Sequence, residues 1–342
     1  MERASFLTQY QGRINRLYKD GLLPKYFKAP VFTLWELTDR CNLSCVHCYY
    51  NSNQKSENEL TTKEALNIIE QLAKMKVFEV YLTGGEALLR EDWPVLIERL
   101  RQKKIQVGLI TNGTQIDRNA AGKLADLKVK WVQISIDGAS PGVHDKVRGL
   151  SGSWEKSVAA IRYLKQNNIR THLSFVPTRI NFRDVKGVIG LCVEMGLEYF
   201  VTDMLVLTGR AVKNFEQIKL GPEEYVEFYA LLDEAAKIYT DKLTIIAPSR
   251  EKETLKTYVK TRSAPPNIWC IITPQGACRL DLLLPFTYGD LKSQKLEYIW
   301  NHFLREGWHR PEVIEFINSL NMMSDLIKHK TVPYVSENIH CQ

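Results

Sequence analysis

The chain has no apolar run near the roughly 18 residues that crossing a bilayer requires, and its start, Met1-Glu2-Arg3-Ala4-Ser5-Phe6, has no apolar signal core behind a basic patch. From these two absences a cytoplasmic protein is expected. It has no internal repeat, no low-complexity tract and no Lys/Arg block dense enough for a nucleic-acid arm. The formal net charge is +7, from 46 Lys+Arg against 39 Asp+Glu, which reads as a solvated surface that would not hinder an anionic substrate. Nucleic acid is therefore not the expected partner. Cysteine is scarce as well. There are seven in 342 residues, an odd number, and three of them crowd into eight positions as Cys41, Cys45 and Cys48. That does not suit a disulfide framework. In a reducing compartment, clustered thiols point to a metal.

What is present is an ordinary globular balance, 44% hydrophobic and 25% charged. Six β-rich runs, Val31–Thr38, Val77–Thr83, Ile105–Thr111, Trp131–Ile136, Arg170–Val176 and Tyr199–Leu205, alternate with helix-length segments. One of those helices opens on the capping box Thr61-Thr62-Lys63-Glu64. The alternation predicts an α/β fold of parallel βαβ units, wound right-handed into a barrel or partial barrel. Chemistry in such folds gathers at the C-terminal strand ends. Cys41, Gly84, Asn112 and Asp137 all follow strands there. The expected organisation is a helical lead-in over 1–30, a core over 31–220, a helical connection over 221–265 and a small α+β module over 266–342. That last module includes helices Leu296–Leu304 and Pro311–Ile327.

Three closely spaced thiolates can hold three corners of a cubane cluster and leave the fourth iron open, whereas four close it into an electron carrier. Zinc is the alternative, but a structural zinc wants four ligands, usually in paired Cys-x-x-Cys knuckles, and His47 lies inside the loop beside Cys48. The spacing favours iron–sulfur over zinc. In Gly84-Gly85-Glu86 the glycines permit close backbone approach and Glu86 can accept from an ammonium. A tight strand–helix turn is the other reading. Asp137, before Gly138, can equally cap a loop.

The stretch Thr38-Asp39-Arg40-Cys41-Asn42-Leu43-Ser44-Cys45-Val46-His47-Cys48-Tyr49 resembles the signature loop of the radical S-adenosylmethionine (SAM) superfamily. The resemblance runs over about residues 31–210 and implies a partial (β/α)6 TIM-like barrel, a 4Fe–4S cluster on Cys41, Cys45 and Cys48, and SAM chelated at the open iron. It implies cleavage of SAM to a 5′-deoxyadenosyl radical, with electrons from an external donor such as flavodoxin or ferredoxin. Leu82-Thr83-Gly84-Gly85-Glu86 resembles the element that binds the methionine amino group, and Arg148 an arginine that pairs with the methionyl carboxylate. By the same resemblance His47 sits near the adenine. Asn112, Ser135 and Asp137 line the pocket, and Asn181 and Leu205 contact ribose and adenine.

Downstream, Ile272-Thr273-Pro274-Gln275-Gly276, Pro285–Leu291 and Leu296–Asn301 follow the outline of a SPASM or twitch domain, which carries auxiliary clusters in many peptide-modifying relatives. The dense cysteine group expected beyond Gly289 is absent. Two readings stand: one auxiliary cluster on Cys270, Cys278, Asp281 and Cys341, or a degenerate module in which isolated cysteines are small buried hydrophobes. Cys278 or Cys341 is the candidate hydrogen-atom donor to a substrate radical, and Cys192 reads as core. The expected activity is radical modification of a ribosomally made peptide, by crosslink or epimerisation, with a separate recognition protein as a partner. The alternative is tailoring of a sugar or antibiotic precursor. The most remote is a non-enzymatic metal-binding scaffold.

Overall fold

The computed structural model describes residues 6–50, 52, 58–247, 259, 262–320 and 339–341. A first helix, α1 (Phe6–Lys19), precedes the central strand β1 (Phe32–Glu36). The chain then alternates α2 (Thr62–Lys74), β2 (Glu79–Thr83), α3 (Trp93–Gln102), β3 (Gln106–Thr111), α4 (Arg118–Asp126) and β4 (Trp131–Ser135). After α5 (Pro141–Arg148) and α6 (Ser153–Gln166) come β5 (Arg170–Phe175), α7 (Val185–Glu194) and β6 (Tyr199–Thr202). Short helices α8 (Gly209–Lys213) and α9 (Phe215–Ile218) lead to α10 (Pro222–Ile238) and β7 (Thr244–Ile246). The α2 box forms as expected, with Glu64 N donating to Thr61 Oγ1 and Thr61 N to Glu64 Oε2 at 2.8 Å.

Strands β1 to β7 lie side by side in chain order, all parallel, in an open sheet. Beyond β1 the sheet continues with β8 (Trp269–Ile272), parallel to β1, then antiparallel β9 (Ala277–Arg279) and β10 (Phe286–Asp290), then β11 (Ile339–Cys341). The C-terminal hairpin therefore extends the barrel wall beside the strand that feeds the cysteines. Two elements depart from the sequence reading. β7 lies within the segment read as a helical connection, and α5 was not foreseen as a separate helix. Helix α11 (Leu296–Ile299) widens into a π turn over Trp300–Leu304, and α12 (Pro311–Asn318) ends well before Ile327. Positions 321–327 of that expected helix lie outside the described residues.

Alternate strand residues point to opposite faces. Trp35, Val80, Leu82, Val107 and Leu109 face the helices and pack on Ile68, Leu72 and Ile97. Phe32, Leu34, Tyr81, Trp131, Trp269 and Ile271 fill the inner face, closed at the N-terminal strand ends by Ile14 and Phe27. Gly108 is the inner-face residue beside Trp131; a Cβ there would lie 2.1 Å from the indole ring. The indole stacks on His172 at 5.4 Å and donates to Glu79 Oε1 at 2.8 Å. This filled floor confines any reacting molecule to the C-terminal mouth. Among the described residues no helix is long and apolar enough to cross a membrane.

Candidate active site

Cys41, Cys45 and Cys48 lie on the loop that leaves β1, Cys45 buried and the other two partly so. A polar group lies near each sulfur. Leu43 N approaches Cys41 Sγ at 3.5 Å and Asn112 Nδ2 at 4.0 Å; Arg148 Nη1 reaches Cys45 Sγ at 3.8 Å, and Ser52 Oγ lies 3.9 Å from Cys48 Sγ. Burial pushes the Cys41 thiol up to about 12 and raises that of Cys45, with the Arg148 charge opposing at Cys45. A set of donors aimed at sulfur is what a thiolate cluster requires of its surroundings. Zinc fits less well. His47, its fourth ligand, instead brings Nε2 within 3.2 Å of Asp137 Oδ2.

The two glycines permit a close backbone approach, and the segment that approaches is the cysteine loop. A Cβ at Gly85 would lie 2.2 Å from Arg40 O, and one at Gly84, where φ is +138°, would lie 2.6 Å from Thr38 O. They let the strand end pass against the cysteine loop itself. Gly85 N donates to Thr38 O and Glu86 N to Arg40 O, each at 2.7 Å. Glu86 is buried, and accepts from Thr111 Oγ1 at 2.7 Å, Asn112 N at 2.9 Å and Leu88 N at 3.3 Å. Burial nevertheless raises its pKa. Such a carboxylate gains from a cation brought beside it.

Asp137, fully buried after β4, is an ion-pair centre rather than a simple loop cap. Its Oδ2 lies 2.7 Å from Arg148 Nε, and its Oδ1 accepts from Val176 N at 3.0 Å. Burial opposes its charge, but Arg148 and then His47 hold it below the usual carboxylate range. Burial drives His47 down to about 4, so its ring is neutral, and Nδ1 has no hydrogen-bond partner among the described residues. His144 Nδ1 accepts from Asp137 N at 3.1 Å. Ser135 stands at the same strand end, 3.3 Å from Ser174 Oγ. Leu205 joins Leu207, Ala211 and Ile218 in an apolar patch that also touches Val46 of the cysteine loop.

Asn181, expected at the ribose, spends its amide on the fold. Nδ2 donates to Asp137 O (2.9 Å) and Val176 O (3.1 Å), while Oδ1 accepts from Thr178 N (2.7 Å) and Thr178 Oγ1 (2.8 Å). Sequence reasoning also missed a clamp. Arg210 Nη1 donates to Cys45 O at 3.0 Å and Nη2 to Ser52 O at 2.7 Å; Thr208 Oγ1 donates to Tyr49 O and Asn214 Nδ2 to Val46 O. The start of α8 adds Arg210 N to Cys48 O at 2.8 Å. Their only signal was a cluster of donors just past the sixth strand.

Of the C-terminal candidates, the structure brings Cys270 and Cys278 together. Cys270 and Cys278 are neighbours, fully buried in the apolar layer between sheet and helices, and Cys278 is raised first by its contact with Cys270 and then by burial. Asp281 is committed to Arg262, 3.1 Å away, and accepts from Leu283 N at 2.9 Å. Cys341 follows in register beyond Tyr288, which itself pairs Cys278, so a whole strand separates the two cysteines. The side chain of Cys341 lies outside the described residues.

An open (β/α) barrel with three thiols and a buried acid at its mouth is the architecture of enzymes that hold a 4Fe–4S cluster by three cysteines. The superfamily follows from sequence comparison. The profile of the Radical SAM superfamily matches residues 35–192, and mycofactocin maturase MftC of Mycobacterium tuberculosis is 30% identical over 281 residues, covering 80% of this chain and 71% of the relative. The chain belongs to the radical SAM superfamily, and its cofactors are a 4Fe–4S cluster and SAM. Pre-heme d1 synthase of Dinoroseobacter shibae is 36% identical over 182 residues, 53% of this chain; the match spans about half of that relative, at 45%. The fold is that of Streptococcus suis SuiB bound to S-adenosylmethionine, with a TM-score of 0.67 at 16% identity over 89% of this chain and 72% of SuiB.

Proposed function

We propose that this enzyme cleaves SAM reductively and uses the resulting radical to modify a ribosomally made peptide, by crosslinking or epimerisation. The observation that carries the reading is the cysteine loop whose three sulfurs each lie near a polar group, beside Glu86 and the Asp137–Arg148 pair. When bound, the cluster and SAM supply a 5′-deoxyadenosyl radical that takes a hydrogen atom from substrate. Cys41, Cys45 and Cys48 hold the iron. Glu86 receives the methionine ammonium, and Arg148, fixed by Asp137, faces its carboxylate. Ser135 and Asn112 border the methionine end, while neutral His47 and Leu205 border the adenine. The filled floor and the apolar patch at Leu205 exclude water, which a primary carbon radical requires.

The peptide reading is supported by the relative named as a mycofactocin maturase, and by the shared fold with SuiB, solved with its precursor peptide SuiA. A flavodoxin or ferredoxin supplies the electron, in the cytoplasm, and a separate recognition protein presents the peptide. A second reading, radical tailoring of a small molecule, takes support from relatives named as heme synthases, one 27% identical over 80% of this chain and 83% of itself. The C-terminal module is read as degenerate, with no auxiliary cluster. Its test is iron counting on the Cys41/Cys45/Cys48→Ala variant, where about four residual irons would refute it.

Anaerobically reconstituted protein should convert SAM to 5′-deoxyadenosine under dithionite, and Cys45→Ala should not. A fully iron-loaded wild type that forms none overturns the reading. With candidate precursor peptides, a crosslink lowers the peptide mass and epimerisation in D2O raises it. Turnover of a tetrapyrrole instead selects the second reading.

A further inference from the structure

Glu36 ends β1 on the inner face, two residues beyond Leu34 and so on the same side. It is fully buried, and neither carboxylate oxygen has a hydrogen-bond partner among the described residues. A buried carboxyl in that state is costly, and a fold that retains one calls for an explanation. The surroundings indicate what completes it. Arg279 reaches the same face from β9, since Ile271 pairs with both Leu34 and Arg279. Asp39, Tyr49 and Tyr50 of the cysteine loop also feel its charge. Glu36 stands at about 8, raised by burial against the opposing Arg279 charge, with Asp39 adding to the rise. Asp203, just after β6, is pushed up to about 6 by burial, and the cation near it, Arg262, is spent on Asp281.

We propose that Glu36 anchors the substrate by receiving a cationic hydrogen-bond donor, an ammonium or guanidinium group, which holds the neighbouring C–H bonds below the cysteine loop. The proposal rests on the radical reading above and names the chemistry its substrate carries. A lysine, arginine or free amino terminus of a peptide has it; a polycarboxylate such as a porphyrin does not. Glu36 is a positioning residue here and takes no part in SAM cleavage. Its charge comes close to the cofactor loop, because Tyr49 adjoins Cys48 and senses Glu36.

The experiment uses the reconstituted holoenzyme with SAM and dithionite, and three perdeuterated probes of equal length: butylammonium, butanol and butyrate. Deuterium recovered in 5′-deoxyadenosine reports which probe lies within reach of the radical. Butylammonium should transfer about tenfold more than butyrate, as a charge of the favoured sign does over its opposite. Its transfer should grow by up to about tenfold per pH unit between pH 6 and 8. A bound cation must displace the Glu36 proton there, whereas an alkylammonium stays charged to about 10. Glu36→Gln should erase both the preference and the pH dependence, each read as deuterium transferred per 5′-deoxyadenosine formed; Glu36→Asp should keep part of each. Equal transfer from all three probes overturns the proposal, as does a preference that survives in Glu36→Gln. A preference for butyrate overturns it in favour of Arg279. Wild type that forms no 5′-deoxyadenosine sinks the radical reading and this proposal together, whereas product without preference sinks this proposal alone.

Discussion

Gly85→Ala should empty the cluster site without touching a ligand. The new methyl would stand 2.2 Å from Arg40 O, 2.6 Å from Arg40 C and 2.9 Å from Asp39 O, all backbone atoms with no rotamer to yield. Restoring an ordinary contact needs a retreat of about 1 Å by the loop that carries Cys41. That movement stretches the two 2.7 Å bonds, Gly85 N to Thr38 O and Glu86 N to Arg40 O, which tie strand end to loop. Overpacking at about 1–3 kcal/mol and a weakened hydrogen bond at about 1 kcal/mol together imply a loss near 3 kcal/mol. A ligand constellation tolerates only about 0.5 Å of displacement, so iron retention should fall further than stability does. The control is Gly122→Ala on α4, where a Cβ meets nothing within 4 Å and helix propensity should add about 0.5–1 kcal/mol. Iron per chain after anaerobic reconstitution and urea midpoints of the apo-protein read both effects. Full iron occupancy with an unshifted midpoint in Gly85→Ala would refute the reasoning.

Three further outcomes follow from the same geometry. Glu36 is raised from 4.5 to about 8, so between those values the native chain keeps a proton that the unfolded chain has lost. Its contribution to stability is whole below the lower value and is lost as pH rises to the upper, by up to about 1.4 kcal/mol per unit; urea midpoints should show that slope, and Glu36→Gln should flatten it. Asp281→Asn leaves Arg262 buried without its counter-charge and should cost about 3–5 kcal/mol with no change in iron content, whereas lost iron would make Asp281 a ligand. Arg210→Gln should release the Cys45 and Ser52 carbonyls, cost about 2 kcal/mol and speed iron removal by a chelator. Arg210→Lys should not restore it, because a single ammonium cannot span both oxygens.

The core strands were legible because each β-rich run is followed by a helix whose apolar period fits the outer face, as with Ile68, Ile69 and Leu72 on α2. β7 was not, since three residues, Thr244–Ile246, give no period to read and α10 dominates the segment. The spacing of the cysteine triad alone favoured iron–sulfur over zinc, and the resemblance of the whole loop carried the rest. For the glycines, sequence indicates a close approach but not what approaches, and here the loop's own backbone does. The clamp of Thr208, Arg210 and Asn214 was invisible because it is tertiary, joining residues 158 or more positions apart. The partners of Asn181 were hidden for a similar reason: an asparagine after a strand suits a ligand or a loop equally, and its amide's hydrogen bonds to Asp137, Val176 and Thr178 are set by the tertiary fold.

The C-terminal module shows how far one residue of register carries. Cys278 and Arg279 are neighbours, yet strand alternation sends the thiol into the apolar layer and the guanidinium to the inner face. A slip of one position would exchange them and put an unpaired arginine among Tyr288, Trp300 and Leu304. The register is therefore set by burial, and it places Cys270 and Cys278 in the apolar layer. What the module brings to the site is polar. Arg279 faces Glu36, and Gln275 Nε2 donates to Asp39 Oδ2 at 2.5 Å from a turn whose Pro274 O accepts from Leu60 N at 2.7 Å. That turn adds a second brace to the cysteine loop, besides the Arg210 clamp. A module that had lost its thiol chemistry but kept this contact would still hold the first cluster's loop in place, which is reason enough for the hairpin to remain hydrogen-bonded to β1.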